Sequence, residues 1–187
     1  AYISPGDSDI SWTLDQLAGV DHEFERHIVS SEGEIIEAVK GADLVIDEAV
    51  PLSRTVIESM SGTTAIVSLG HGFNHIDDEA ATDMGVMLTN CAGYCSDEVA
   101  NHSIMFLLAC AKKLTVLHDQ ARSGRWASGI SALSMPPIDD QVLGLVGLGN
   151  IGRATVRKAK VFGLETIAYD PYVPPWIAKE YSVELVP

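Results

Sequence analysis

Six residues carry the clearest chemical signal in this sequence. The run Gly147-Leu148-Gly149-Asn150-Ile151-Gly152 follows an apolar stretch, Val142–Val146, and opens a helical pattern. That setting suits a dinucleotide's diphosphate. Gly147 permits a tight turn, Gly149 lets the backbone approach the phosphates, and Gly152 lets the helix pack closely on the strand. The amides at the helix start, at Asn150 and Ile151, then face the phosphate oxygens. With 16 glycines in the chain the pattern alone is weak, and the strand before it and helix after it give it force. Asp170 stands 18 residues after Gly152, at the end of the next apolar run. A carboxylate there accepts hydrogen bonds from ribose hydroxyls and repels a 2′-phosphate, so the expected cofactor is NAD rather than NADP.

The elements that must position these residues alternate between strand and helix. A short strand over 1–4 ends at Pro5-Gly6. Ser31-Glu32-Gly33-Glu34 reads as a capping box opening a helix through Ile35, Ile36 and Val39, with Gly41 at its stop. Apolar strands are expected at 44–46, 65–67 and 86–89, with helices between them opened by Ser53 and by Asp77 or Asp78. The strand starts Leu44, Ala65 and Val86 are each 21 residues apart, the pitch of β-α units in a parallel sheet. Ser96 caps a longer helix expected to run from about Asp97 to Arg122 and end at Gly124; its apolar first half suits burial between layers or at a subunit contact. Residues 127–141 read as a loop. A second β-α-β unit follows: 142–146, a helix over 151–162, and 166–169. Pro171, Pro174 and Pro175 then break the chain, and 183–186 forms one more strand.

Composition removes several function classes. There are 26 acidic and 12 basic residues, a formal net charge of −14, which disfavours nucleic acid or an anionic membrane as partner. The longest unbroken apolar run, over 104–111, is far short of the roughly 20 residues of a membrane-spanning helix. Cys91, Cys95 and Cys110 form no C-x-x-C, and their odd number suits a reducing compartment. A cytoplasmic protein is expected. The opening AYISPGDSD lacks both an initiator Met and the features of a secretory leader, so a trimmed start is expected.

The segment VLGLVGLGNIGRATVRKAKVFGLETIAYDPY is similar to the cofactor segment of the D-2-hydroxyacid dehydrogenases, a family that also includes NAD-binding corepressors. Gly70-His-Gly-Phe-Asn-His-Ile-Asp77 resembles that family's glycine loop. Asn90 with Glu98-Val-Ala-Asn-His102 resembles its interdomain crossing, and Gly124-Arg-Trp126 its G-x-W. The resemblance implies an α/β architecture: a flavodoxin-like substrate domain over residues 1–96, followed by an incomplete Rossmann dinucleotide-binding domain over 97–187. It implies a homodimer, and a small 2-hydroxy or 2-keto acid as substrate, interconverted by hydride transfer with NAD. It also implies that the backbone amides of Leu69, Gly70, His71 and Gly72 bind the substrate carboxylate, as closely spaced amides can. Cys95 falls where relatives place a residue near the cofactor phosphates. Asn101 and His102 are read as orienting the interdomain helix.

The chain also departs from that family. Its Arg and its His–Glu pair, which grip the substrate and move the proton, lie beyond residue 187, so no catalytic residue is expected here. The second half of the Rossmann sheet is missing as well. The expectation is therefore a partial sequence of a protein roughly twice this size, incomplete as a catalyst by itself; an NAD-sensing corepressor-like protein is the alternative. Asn74-His75 replaces the Asp-Asn of many relatives, and Ser68 replaces an Arg found in phosphoglycerate-type members. His71 and His75, with Asp77 nearby, have the spacing of a metal pair, but polar groups lining a cleft are the preferred reading and no metal is expected.

Overall fold

The computed structural model describes residues 1–125 and 133–187. The chain divides into two compact units, Ala1–Ala92 and Gly93–Pro187. Trp126, part of the G-x-W resemblance, and the first part of the expected 127–141 loop lie outside the described residues.

The first unit contains β1 (Tyr2–Ser4), α1 (Ser11–Leu17), β2 (Arg26–Ile28), α2 (Glu32–Val39), β3 (Leu44–Asp47), α3 (Arg54–Ser59), β4 (Ala65–Ser68), α4 (Asp78–Asp83) and β5 (Met87–Asn90). Its five strands are all parallel, in the order β2-β1-β3-β4-β5. This is the flavodoxin-like order, whose ligand sites lie outside the carboxyl ends of the strands. The core is built from strand residues Ile3, Val45 and Ile66 and helix residues Ile35, Val39, Val56, Ile57, Ala80 and Ala81. Fully burying each larger aliphatic side chain contributes about 1.5–3 kcal/mol, so these alternating contacts hold the sheet between its helices.

Local signals place the helix starts. Ser31 accepts from the Glu34 N–H, Ser53 from Val56 and Asp77 from Ala80. The capping box is shifted by one residue: the Glu34 carboxylate accepts from the Ser30 N–H at 2.7 Å and the Ser30 hydroxyl at 2.9 Å. Gly41 has φ +76°, the left-handed value that favours glycine after a helix. Helix α1 and edge strand β2 carry little sequence signal. No residue of α1 is buried, and β2 has only three residues.

The second unit contains α5 (Ser96–Ala111), α6 (Leu114–Arg122), β6 (Val142–Val146), α7 (Asn150–Val161), β7 (Glu165–Tyr169), α8 (Pro175–Glu180) and β8 (Glu184–Leu185). Strands β6, β7 and β8 are parallel and adjacent in that order, the βαβαβ half of a dinucleotide-binding sheet. Leu148, Val156, Ala168, Ala178 and Val183 form one core, while Ile104 of α5, Ala159 of α7 and Leu164 form another.

Three expectations are corrected in this unit. The single helix to Arg122 is two helices, because Lys113 takes φ +53°, left-handed backbone that a lysine gives no warning of. Cys95 rather than Ser96 is the N-cap of α5, and no side chain caps it. The Pro174-Pro175 break is instead the start of α8: proline at the first helical position removes only an N–H that has no helical partner. Along α5, only Ala100 and Ile104 are buried; Met105 and Phe106 are exposed. No helix among the described residues is long and apolar enough to cross a membrane.

Candidate functional site

The glycine turn joins β6 to α7, and its three glycines are glycine for three different reasons. Gly147 has φ +97°, so a side chain there would be strained. At Gly152 a Cβ would stand 2.5 Å from the Gly147 carbonyl oxygen, an impossible contact unless the helix moves off the turn. At Gly149 φ is −70°, and a Cβ would meet nothing within 4 Å. The protein's own packing therefore leaves Gly149 facing open space, the room a closely approaching diphosphate needs. Helix α7 begins at Asn150 with Ile151 next, has no side chain capping its first amides and no acidic residue in its first turn. Its positive end is thus left to whatever anion approaches.

Asp170, at the end of β7, turns its carboxylate to this loop. Oδ2 accepts from the Leu148 N–H at 2.7 Å, and Oδ1 accepts from the Tyr172 and Val173 N–H groups at 2.9 and 3.0 Å. The Leu148 N–H, then the Tyr172 and Val173 N–H groups, with Arg153 nearby, hold the Asp170 carboxyl below the usual aspartate value. A carboxylate offers about four acceptor sites, so three amides leave capacity for a further donor such as a sugar hydroxyl.

Arg153 closes the turn from the other side. It donates to the Leu148 carbonyl at 3.0 Å and to Asn150 Oδ1 at 2.6 Å. Sequence reading missed this residue, since an Arg in the first turn of a helix looks like ordinary surface. Cys95 lies in the turn that leads into α5. A Cβ on its neighbour Gly93, which has φ +83°, would come within 3.7 Å of Asn150 Nδ2, so this turn and the glycine turn meet at Asn150.

In the first unit four of the five strands end in polar residues. Ser4, Asp47 and Ser68 are wholly buried at the carboxyl ends of β1, β3 and β4, and Asn90 ends β5. The glycine loop leaves β4 at Leu69, whose N–H donates to the Asp47 carbonyl at 2.8 Å. The Leu69 amide thus belongs to the sheet's edge. The Gly70 carbonyl accepts from Cys91 N–H at 3.0 Å, and the His71 carbonyl accepts from Asn90 Nδ2 at 2.6 Å. In a trans peptide, C=O and the next N–H point opposite ways. The N–H groups of His71 and Gly72 are therefore directed away from β5. A Cβ on Gly70 would stand 3.3 Å from the Gly72 carbonyl oxygen, so a side chain there would press on the loop's tight return.

His75 turns its ring to a buried carboxylate. Its Nε2 lies 2.7 Å from Asp47 Oδ2. Among the described residues no group of three or more His, Cys, Asp or Glu side chains is placed to hold a metal. Sequence reading also missed Asp47. An aspartate closing the apolar strand Leu-Val-Ile-Asp was the available signal. In the second unit, the His102 ring stacks edge-on against Phe106 at 4.4 Å along α5, and Asn101 is exposed.

Residues 9–182 match the family model for the catalytic domain of D-isomer specific 2-hydroxyacid dehydrogenases. The chain belongs to this family. Among its curated members, D-3-phosphoglycerate dehydrogenase of Methanocaldococcus jannaschii is 35% identical over 158 residues, covering 82% of this chain and 29% of that protein. Glyoxylate reductase of Korarchaeum cryptofilum is 29% identical over 179 residues, covering 91% of this chain and 54% of that protein. The chain thus spans about half or less of the length of these 2-hydroxyacid dehydrogenase relatives. In fold it resembles D-lactate dehydrogenase of Aquifex aeolicus, solved with NAD and lactic acid, with a TM-score of 0.84 and 19% identity over 99% of this chain and 55% of that one.

Proposed function

We propose that the protein carrying this chain interconverts a D-2-hydroxy acid and its 2-keto acid, with NAD as hydride carrier. In this reading the unit Ala1–Ala92 is the substrate domain and Gly93–Pro187 begins the cofactor domain. The nicotinamide cofactor supplies the hydride. The chain's own residues bind and orient. The turn around Gly149, with the amides of Asn150 and Ile151, takes the diphosphate, and Arg153 and Asp170 hold that turn in shape. The remaining acceptor capacity of Asp170 takes a ribose hydroxyl, and its charge disfavours a 2′-phosphate, which supports NAD over NADP. Cys95 borders the phosphates. In the first unit the loop through Gly70, His71 and Gly72 takes the substrate carboxylate, with the His71 and Gly72 amides directed away from β5. The cytoplasm and a homodimer complete the reading, and the charge of −14 supports the first.

The observation that carries the proposal is the open space at Gly149 beside an uncapped helix start, with Asp170 turned to the same turn. The test is oxidation of NADH, followed by its absorbance, with a panel of 2-keto acids including glyoxylate and pyruvate. Reduction of at least one keto acid, with NADH preferred to NADPH, is expected. Tight NADH binding with no turnover across the panel would overturn the catalytic part.

A further inference from the structure

Asp47 is wholly buried and yet touches both flanks of the glycine loop. Its backbone carbonyl accepts from Leu69 N–H at 2.8 Å, where the loop leaves β4. Its Oδ2 lies 2.7 Å from His75 Nε2, where the loop returns toward α4. Its Oδ1 accepts from Val50 N–H at 2.8 Å, and the Ser68 hydroxyl approaches Oδ2 at 3.4 Å. The His75 carbonyl accepts from Leu52 N–H at 2.9 Å, which fixes the backbone of the ring that Asp47 holds. Between these two flanks, Asn90 and Cys91 hold the carbonyls of His71 and Gly70.

We propose that His75 is a positioning residue: through Nε2–H it fastens the end of the loop to buried Asp47, and so sets the aim of the amides at positions 71 and 72. The proposal rests on the reading of that loop as the carboxylate site. A carboxylate can only accept, so Nε2 carries the proton in this contact. The donor is present whether the ring is neutral in that tautomer or protonated. The contact is charge-assisted, and its partner cannot turn to water instead, since Asp47 is sealed from solvent. Losing His75 leaves a buried carboxylate short of a donor and the returning flank of the loop held by backbone contacts to Leu52, with no side chain fastening it to β3.

The protein with His75→Ala is compared with wild type and with His75→Gln, whose side-chain amide nitrogen can stand near the place of the imidazole Nε2. For the preferred keto acid, His75→Ala raises KM about tenfold with kcat changed less than about twofold, while NADH binding is unchanged. Hydrogen–deuterium exchange over 70–72 speeds up in His75→Ala. His75→Gln restores both KM and protection, and the pH profile of kcat is the same in all three proteins. Unchanged exchange and unchanged KM in His75→Ala would overturn the proposal. So would a failure of His75→Gln to restore KM combined with an altered pH profile, which would make the ring a proton-handling group. Should wild type reduce no keto acid, the functional reading falls, and the exchange comparison still decides whether His75 fastens the loop.

Discussion

Replacing Gly149 and Gly152 by alanine, one at a time, separates what the turn needs to fold from what it needs to bind. At Gly152 the added Cβ stands 2.5 Å from the Gly147 oxygen, nearly an ångström inside normal contact, and the obstacle is backbone that cannot rotate away. Helix α7 must shift off the turn, and a strained insertion of this kind costs about 1–3 kcal/mol. For a chain of this size that lowers the melting temperature by about 2–4 °C for each kcal/mol. At Gly149 the same methyl meets nothing, and φ of −70° suits alanine. Stability should hold or rise by up to about 1 kcal/mol, because the unfolded chain loses freedom. Yet the methyl fills the space in which the diphosphate is proposed to sit. NADH affinity should fall at least about tenfold, or about 1.4 kcal/mol. Thermal denaturation and NADH fluorescence titration read the two effects separately. If Gly149→Ala keeps both its stability and wild-type NADH affinity, the space at Gly149 is not where the cofactor approaches, and the assignment of this turn fails.

Asp170→Asn removes the charge that three backbone amides hold, so it should weaken NADH binding and narrow the preference over NADPH, measured by titration with each. The Asp170 carboxyl lies below its ordinary 3.8 in the fold, so its stabilising contribution is fully present above that value and is lost as pH falls through the lower folded value; the stability gap between wild type and Asp170→Asn should shrink only under acid. Tyr2, whose hydroxyl donates to Glu48 Oε2 at 2.7 Å, is pushed up to about 12 by burial and by that carboxylate, so a titration near 12 in ultraviolet absorbance should be lost in Tyr2→Phe. The same shift means that Tyr2 supports the fold fully below pH 10 and that this support is lost between about pH 10 and 12, which alkaline denaturation of the two proteins compares.

What the sequence made legible, and what it hid, follows from the range of each signal. The strands at Leu44, Ala65 and Val142 and the caps Ser31, Ser53 and Asp77 are read locally, because a short apolar run between turn residues and an orphan amide each carry their signal in a few neighbouring positions. The glycine turn was legible for the same reason: Gly147 and Gly152 answer to φ and to packing within one strand-turn-helix. The break at Lys113 was not, because a left-handed lysine has no residue preference to betray it. Helix α1 buries nothing and leaves no periodic stripe.

The side chains that fasten the site are hidden for a different reason. Asp47 and His75 are 28 residues apart, and Leu148 and Asp170 are 22 apart. Each pair meets only because parallel strands bring their carboxyl ends to one edge. Asp170 was visible because the dinucleotide motif supplies its spacing; Asp47 had no motif to announce it. The departure at Asn74-His75 now has a physical counterpart, since a histidine at 75 reaches the buried carboxylate that closes β3. A substitution at either member of the pair should therefore act on the loop as a change at the other does. The double variant Asp47→Asn with His75→Ala should lose less than the sum of its two single losses, because neither change leaves the other side chain with a partner to lose twice. Additive losses in a denaturant cycle on the four proteins would show that the two side chains act independently, whatever their separation of 2.7 Å.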